Sequence, residues 1–328
     1  MHTPHLTQAA KKEKPGFFGR LFGGENKYQI AERKHNQVDK LLSEGRNFAE
    51  RGNSQRAIKA FAKVLRISDE LDDSFGRGSA LGSLGIVYNQ IGNPRLAVDY
   101  LDKALGICRA SGNRREVGTN LVNLGSAYQN LGDVQRAIGY YEEALDVDRE
   151  IGNQREVAAD LCRLGWAYST IDNMHHAIKY FEEAMTIYRK VEDAYGIVSC
   201  SAGLGSCFAA EDDLARALPL AEEAIRLGEA INHPLTQQAK QLLVELQTAR
   251  KEVESSVNQI LQAFMNVNSP KEMQALVRQY PFMANDEFVQ VLTEVKVPPY
   301  ATLAFNEHFG WLKQIVVYGK VLDENDDE

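Results

Sequence analysis

The stretch Leu124-Gly125-Ser126-Ala127-Tyr128-Gln129-Asn130-Leu131-Gly132-Asp133 returns, with changes, every 40 residues. Gly85, Gly125, Gly165 and Gly205 lie 40 apart, as do Leu84, Leu124, Leu164 and Leu204. Tyr88, Tyr128, Tyr168 and Phe208 follow three residues after each Gly. Further along, Ala57, Ala97, Ala137, Ala177 and Ala217 keep step, and so do Ala104, Ala144, Ala184 and Ala224. A fixed period of this length over residues 45–224 predicts a solenoid, in which each unit packs on its neighbours.

One unit, residues 78–117, reads as two helices. Leu81, Leu84 and Tyr88 recur at i, i+3 and i+7, the stripe of an amphipathic helix. Gly85 and Ala97 are small and let two helices approach closely. Gly92-Asn93 stops the first helix, because Gly takes the left-handed conformation that ends helices. The same place holds Gly52-Asn53, Gly132-Asp133, Asp172-Asn173 and Asp212-Asp213, so Asp172 and Asp212 must adopt that conformation or a different turn. A second helix carries Ala97, Tyr100, Leu101, Ala104, Leu105 and Cys108 and ends near Ser111-Gly112-Asn113. One such hairpin cannot bury both apolar faces, so the units must stack.

The pattern Leu124, Gly125, Tyr128, Gly132, Ala137, Tyr141 and Ala144 resembles the tetratricopeptide repeat. That family's usual period is 34 residues. The 40-residue version here looks like that of the Leu-Gly-Asn repeat proteins, the kinesin light chains and the bacterial Rap-type regulators. The resemblance covers residues 40–232 and implies an all-α, right-handed α-solenoid of five helical hairpins. Its first repeat is worn, lacking Leu-Gly. Its fifth replaces the second-helix aromatics with Leu220 and Ala221.

The expected organisation is a basic and aromatic N-terminal segment over 1–34, repeats over 35–232, a capping helix over 233–265, a small helical module over 266–320 and an acidic tail over 321–328. Ser269-Pro270-Lys271-Glu272 reads as a helix start, with Ser as cap and Pro at the first position. Pro281 ends that helix. Asn285-Asp286-Glu287 opens another through Val295. A third runs from Ala301 to Val317, with Leu303, Phe309, Trp311, Leu312 and Ile315 as core candidates.

Composition narrows the function. A net charge of −8 over 328 residues argues against a general nucleic-acid binder, which needs a concentrated basic surface. The four cysteines, Cys108, Cys162, Cys200 and Cys207, sit in helical patterns without CxxC, as buried thiols in a reducing compartment would. The seven histidines are scattered, with His175-His176 in a turn, and none has metal-ligand spacing with partners. No apolar run approaches a membrane span, and no signal peptide is legible, so a cytoplasmic protein is expected. Glu142-Glu143, Glu182-Glu183 and Glu222-Glu223 recur with the repeat and read as the solvated side of the second helix. Without a phosphate loop, HExxH or GxSxG, the chain reads as a non-enzyme that needs no cofactor.

The tetratricopeptide resemblance implies that first helices line a concave face. The inward positions are one, four and five past the Leu-Gly, with the residue two before the Gly. Four amides, Asn89, Gln90, Gln129 and Asn130, then come near one another, with Asn123 and Ser126 beside them. Amides donate and accept, so they suit the backbone of an extended peptide. Arg163, Trp166, Ser169 and Thr170 continue the face, followed by Gly203, Ser206, Ala209 and Ala210. Trp166 stands where its equivalents are Ile86, Ser126 and Ser206: it is either a binding anchor or a core residue on a rotated helix. With Arg46 and Arg163 but no inward Lys, a two-carboxylate clamp is not expected. The predicted role is an adaptor or scaffold that binds a partner peptide or helix. The alternative is a peptide-responsive sensor of the Rap type, and a third class is an enzyme accessory subunit.

Residues 1–34 carry seven Lys or Arg against three Glu, net +4. Within them Phe17, Phe18, Leu21 and Phe22 form one apolar face if helical, with Arg20 among the flanking cations. Three readings stay open: a tag for an anionic membrane surface, a peptide that docks a partner or fills the groove, or a disordered tail.

Overall fold

The computed structural model describes residues 27–284, 305–306 and 308–313. The candidate docking residues Phe17, Phe18, Arg20, Leu21 and Phe22, the proposed helix from Asn285, Leu303, Ile315 and the acidic tail lie outside the described residues. The chain divides into two compact units, Met1–Leu242 and Leu243–Glu328.

In the first unit helices follow one another in antiparallel pairs: α1 (Lys27–Glu50) with α2 (Ser54–Leu71), α3 (Ser74–Gln90) with α4 (Pro94–Ser111), α5 (Arg114–Asn130) with α6 (Val134–Ile151), α7 (Gln154–Thr170) with α8 (Met174–Lys190), and α9 (Ala194–Ala210) with α10 (Leu214–Ile231). Each pair packs on the next, and first helices also meet: α1 with α3, α3 with α5 and α7 with α9. This is the all-α repeat array that the period predicts. The next helix, α11 (Thr236–Met265), begins in this unit: Ala239 joins Val198, Ala202 and Ala224 in the terminal core cluster.

Local chemistry sets the boundaries. The side chains of Asn93, Asn113, Asp133, Asn173 and Asp213 each accept from the backbone N–H three residues on, capping the helix that follows. The residue before each of these caps is left-handed: Gly92, Gly112, Gly132, Asp172 and Asp212. Asp172 (φ 61°) and Asp212 (φ 58°) thus take the conformation the alignment of turns requires, as does Glu192 (φ 54°) between α8 and α9. The backbone N–H of Asn93, Asp133, Asn173 and Asp213 reaches back to the carbonyl of Tyr88, Tyr128, Tyr168 and Phe208, closing each turn. His175 and His176 stand in the first turn of α8 rather than in the turn before it, because Asn173 is the cap.

Glycines in the first helices admit the second. A Cβ on Gly125 would stand 2.4 Å from the Tyr141 ring, and one on Gly165 2.7 Å from Phe181. Gly45 repeats this against Phe61 at 2.5 Å. The first repeat therefore keeps its glycine and lacks only the leucine, replaced by Glu44. Stacked pairs Tyr88–Tyr100, Tyr128–Tyr140 and Tyr168–Tyr180, with centroids 5.2–5.4 Å apart, recur in the second, third and fourth hairpins. The repeated glutamates bridge repeats: Arg109 pairs with Glu143, Arg149 with Glu183 and Arg189 with Glu223, all on second helices and largely in solvent.

In the second unit α12 (Pro270–Gln279) starts at the Ser269 cap and a 3-10 turn follows over Pro281–Ala284. Its core holds Phe264, Val267, Met273, Leu276, Val277, Met283, Phe305 and Leu312, with Phe309 and Trp311 packed against it.

Candidate protein-binding face

The leucines and small residues of each first helix point into the array, and a half-exposed stripe remains opposite. On α5 this stripe holds Asn123, Ser126 and Gln129, with Asn130 exposed at its end. On α3 Ser83, Ile86 and Asn89 are half-buried and Gln90 exposed, and on α7 Arg163, Trp166 and Ser169 are half-buried and Thr170 exposed. The same helical face continues towards the N-terminus through Ser79, Thr119, Ala159 and Ser199. These four stay outside the Leu-Gly motif, although their 40-residue spacing was available in the sequence. Gly203 does not belong to the stripe: it is buried, and a Cβ there would meet the Phe181 ring at 2.4 Å.

The amides converge on one another. Asn89 Nδ2 donates to Ser126 Oγ at 3.2 Å, and Asn130 Nδ2 donates to Asn89 Oδ1 at 2.9 Å. Tyr141 O–H donates to Gln129 Oε1 at 3.0 Å, which anchors that amide to the second helix of its own repeat. Burial pushes the Tyr141 phenol up to about 12, so it stays a donor. The result is a chain of oriented carboxamides across α3 and α5 with donors and acceptors left for a ligand.

On α7 the face changes character. Trp166 is half-exposed and meets Phe181 edge-on, with centroids 5.3 Å apart. Its ring therefore covers core while keeping a surface of its own. Thr170 O–H returns to the Trp166 carbonyl at 2.9 Å, and Ser169 lies beside it. Arg163 Nη1 holds Asp160 Oδ1 at 2.8 Å, with Asp160 buried and Arg163 half-exposed. Asp160 was not among the sequence candidates. The signal existed: at this position the second, third and fifth repeats carry the buried residues Ala80, Asn120 and Cys200, and a carboxylate among them breaks the period. The four cysteines are free and buried. No group of His, Cys, Asp or Glu among the described residues could hold a metal ion, and no described helix is long and apolar enough to cross a membrane.

Residues 41–110 and 116–190 match the tetratricopeptide repeat family model. Solved structures with this fold include apo RapI (12% identity, TM-score 0.56, covering 87% of this chain and 77% of that one). A Pyrococcus horikoshii signal transduction ATPase with a tetratricopeptide repeat sensor is similar over 66% of this chain and 34% of its own (20% identity, TM-score 0.59). A putative kinesin light chain from Podosopora anserina is similar over 62% of this chain and 97% of its own (18% identity, TM-score 0.51). At these identities the likeness is one of fold. No curated protein matches the sequence significantly.

Proposed function

This chain belongs to the tetratricopeptide repeat family, whose members generally mediate protein–protein interactions, and we propose that it is an adaptor or scaffold whose first-helix face binds a peptide or helix of a partner protein. The observation that carries this is the cross-repeat amide chain, Asn130 to Asn89 to Ser126, running toward a half-exposed Trp166. Preset carboxamides suit a peptide backbone without selecting its charge, and Trp with Arg163 supplies the aromatic and cationic anchors that dominate hot spots. The alternative of a peptide-responsive sensor draws on the likeness to RapI, which extends over 87% of the chain and so beyond the repeats. A sensor would change repeat geometry on binding and a scaffold would not.

The experiment is affinity capture from the native proteome on the full chain, on a Trp166→Ala/Arg163→Ala variant and on a chain lacking residues 1–34. Proteins retained by the full chain and lost with the double variant would support the groove. Equal recovery on the full chain and the double variant would refute it. Loss with the truncation alone would move the binding site to the N-terminal segment.

A further inference from the structure

Asp148 and Asp160 bring two carboxyls together inside the helix stack. Asp148 lies on α6, in the third repeat, and Asp160 on α7, in the fourth. Both are buried, at 7% and 0% exposure, and each carboxyl acts electrostatically on the other. Asp160 Oδ1 accepts from Arg163, but Asp160 Oδ2 meets no N–H or O–H donor and is shut off from solvent. Two ionised carboxylates cannot satisfy that oxygen, because each is acceptor-only. A proton on one of them can, since it makes one carboxyl a donor to the other.

The surroundings offer limited compensation. From α5, Arg115 acts on Asp148, and Gly118 packs beside its carboxylate, where a Cβ would lie 3.4 Å from Oδ2. From α7 come Glu156, which opposes ionisation of Asp148, and Arg163, which favours it. Tyr141 on α6 is near Asp160, and Tyr188 on α8 is near Arg163. The equivalent pairs elsewhere are Ser68 with Ala80, Cys108 with Asn120, and Tyr188 with Cys200. The carboxyl pair is thus peculiar to the junction behind Arg163 and Trp166.

We propose that Asp148 and Asp160 form a proton-sharing latch between the third and fourth repeats, and that loss of its proton loosens this junction and moves Arg163 and Trp166 on the binding face. The energetic logic is the repulsion of two like charges in a desolvated site. Desolvation is the main cause that raises both carboxyls, with Asp160 pushed up to about 7. The sign follows from linkage. A carboxyl whose folded value lies above its unfolded one leaves stability intact below the unfolded value, near 4, and removes it as pH rises toward 7. The latch is therefore closed in mild acid and opens on passing neutrality. It stands on this junction's geometry and needs no bound partner.

The test uses the full chain carrying Trp311→Phe, which leaves Trp166 as the sole tryptophan. Trp166 emission should titrate with a midpoint near neutrality while the helical circular dichroism stays constant. The midpoint of thermal unfolding should fall by about 5 °C or more between pH 5 and pH 8. Asp160→Asn should abolish the emission titration and flatten the fall, because the amide can satisfy the neighbouring carboxylate without a shared proton. Asp148→Asn should do the same, and it decides the matter if Asp160→Asn fails to fold. An emission titration that survives in a folded variant of either aspartate would overturn the latch. So would the absence of any titration in the parent chain.

Discussion

Asn130 Nδ2 donates to Asn89 Oδ1 at 2.9 Å although the two residues belong to different repeats, 41 positions apart. Asn89 in turn donates to Ser126, so one carboxamide is held from both sides and its plane is set before any ligand arrives. Orientation of this kind lowers the entropy lost when a partner orders the same groups. Trp166, two first helices beyond α3, supplies the large surface that the amides lack.

Trp166→Ala tests the division of labour on this face. The ring is half-exposed and touches Phe181 by its edge, so the variant should stay folded, with an unchanged helical spectrum. Affinity for a captured partner should fall by at least ~2 kcal/mol, roughly 30-fold, as hot spots do. If the protein instead unfolds, Trp166 is a core residue and the face has been assigned to the wrong side of the helix.

Gly125→Val tests the hairpin contact. The Tyr141 ring occupies the space a Cβ needs, and Tyr141 is itself fixed by its bond to Gln129. Overpacking should cost about 1–3 kcal/mol or more in chemical denaturation. Gly139, with nothing within 4 Å of its would-be Cβ, is the control: Gly139→Val should cost far less. Equal losses at both sites would contradict the close approach.

Glu192→Gly tests the turn. Glu192 holds φ at 54°, where an L side chain is disfavoured by roughly 1–2 kcal/mol. Glycine removes that strain but loses more backbone entropy on folding, so a net gain of about 0.5–1 kcal/mol is expected. A loss of stability would mean the Glu192 side chain contributes more than its backbone costs.

The N-terminal segment calls for a separate measurement. Phe18 and Phe22 would enter a lipid interface while Lys11, Lys12, Lys14 and Arg20 hold anionic headgroups, each cation contributing about 1 kcal/mol. We propose weak, salt-sensitive sedimentation with anionic vesicles, abolished in a chain starting at Glu25. Both proteins remaining in the supernatant at low salt would leave a protein ligand or a tail as the reading of this segment.

The hairpin order, the helix boundaries and the small-residue contacts were legible in the sequence, because they rest on local rules repeated five times. A left-handed residue followed by Asn or Asp stops and restarts the chain wherever it occurs, and Gly125 must be small wherever a partner helix passes. The period left Asp172 and Asp212 either that conformation or a different turn, and their φ values select the first. The repeat even carried Gly45, hidden by the loss of its leucine to Glu44.

What periodicity could not settle is what happens between non-equivalent residues. Asn89 and Asn130 occupy neighbouring positions of the pattern, but their bond depends on how far one hairpin rotates against the next, and packing alone sets that angle. Gly203 fits the inward register and is nonetheless buried, because the Phe181 ring fills the space above it. Asp148 and Asp160 meet because second and first helices of successive repeats touch at that height. Sequence alone determined the unit and its boundaries, since hydrogen-bonded turns and helix stripes are short-range. Only the tertiary structure decided which side chains meet as buried carboxyls, hydrogen-bonded amides or ring contacts, since those partners come together through stacking.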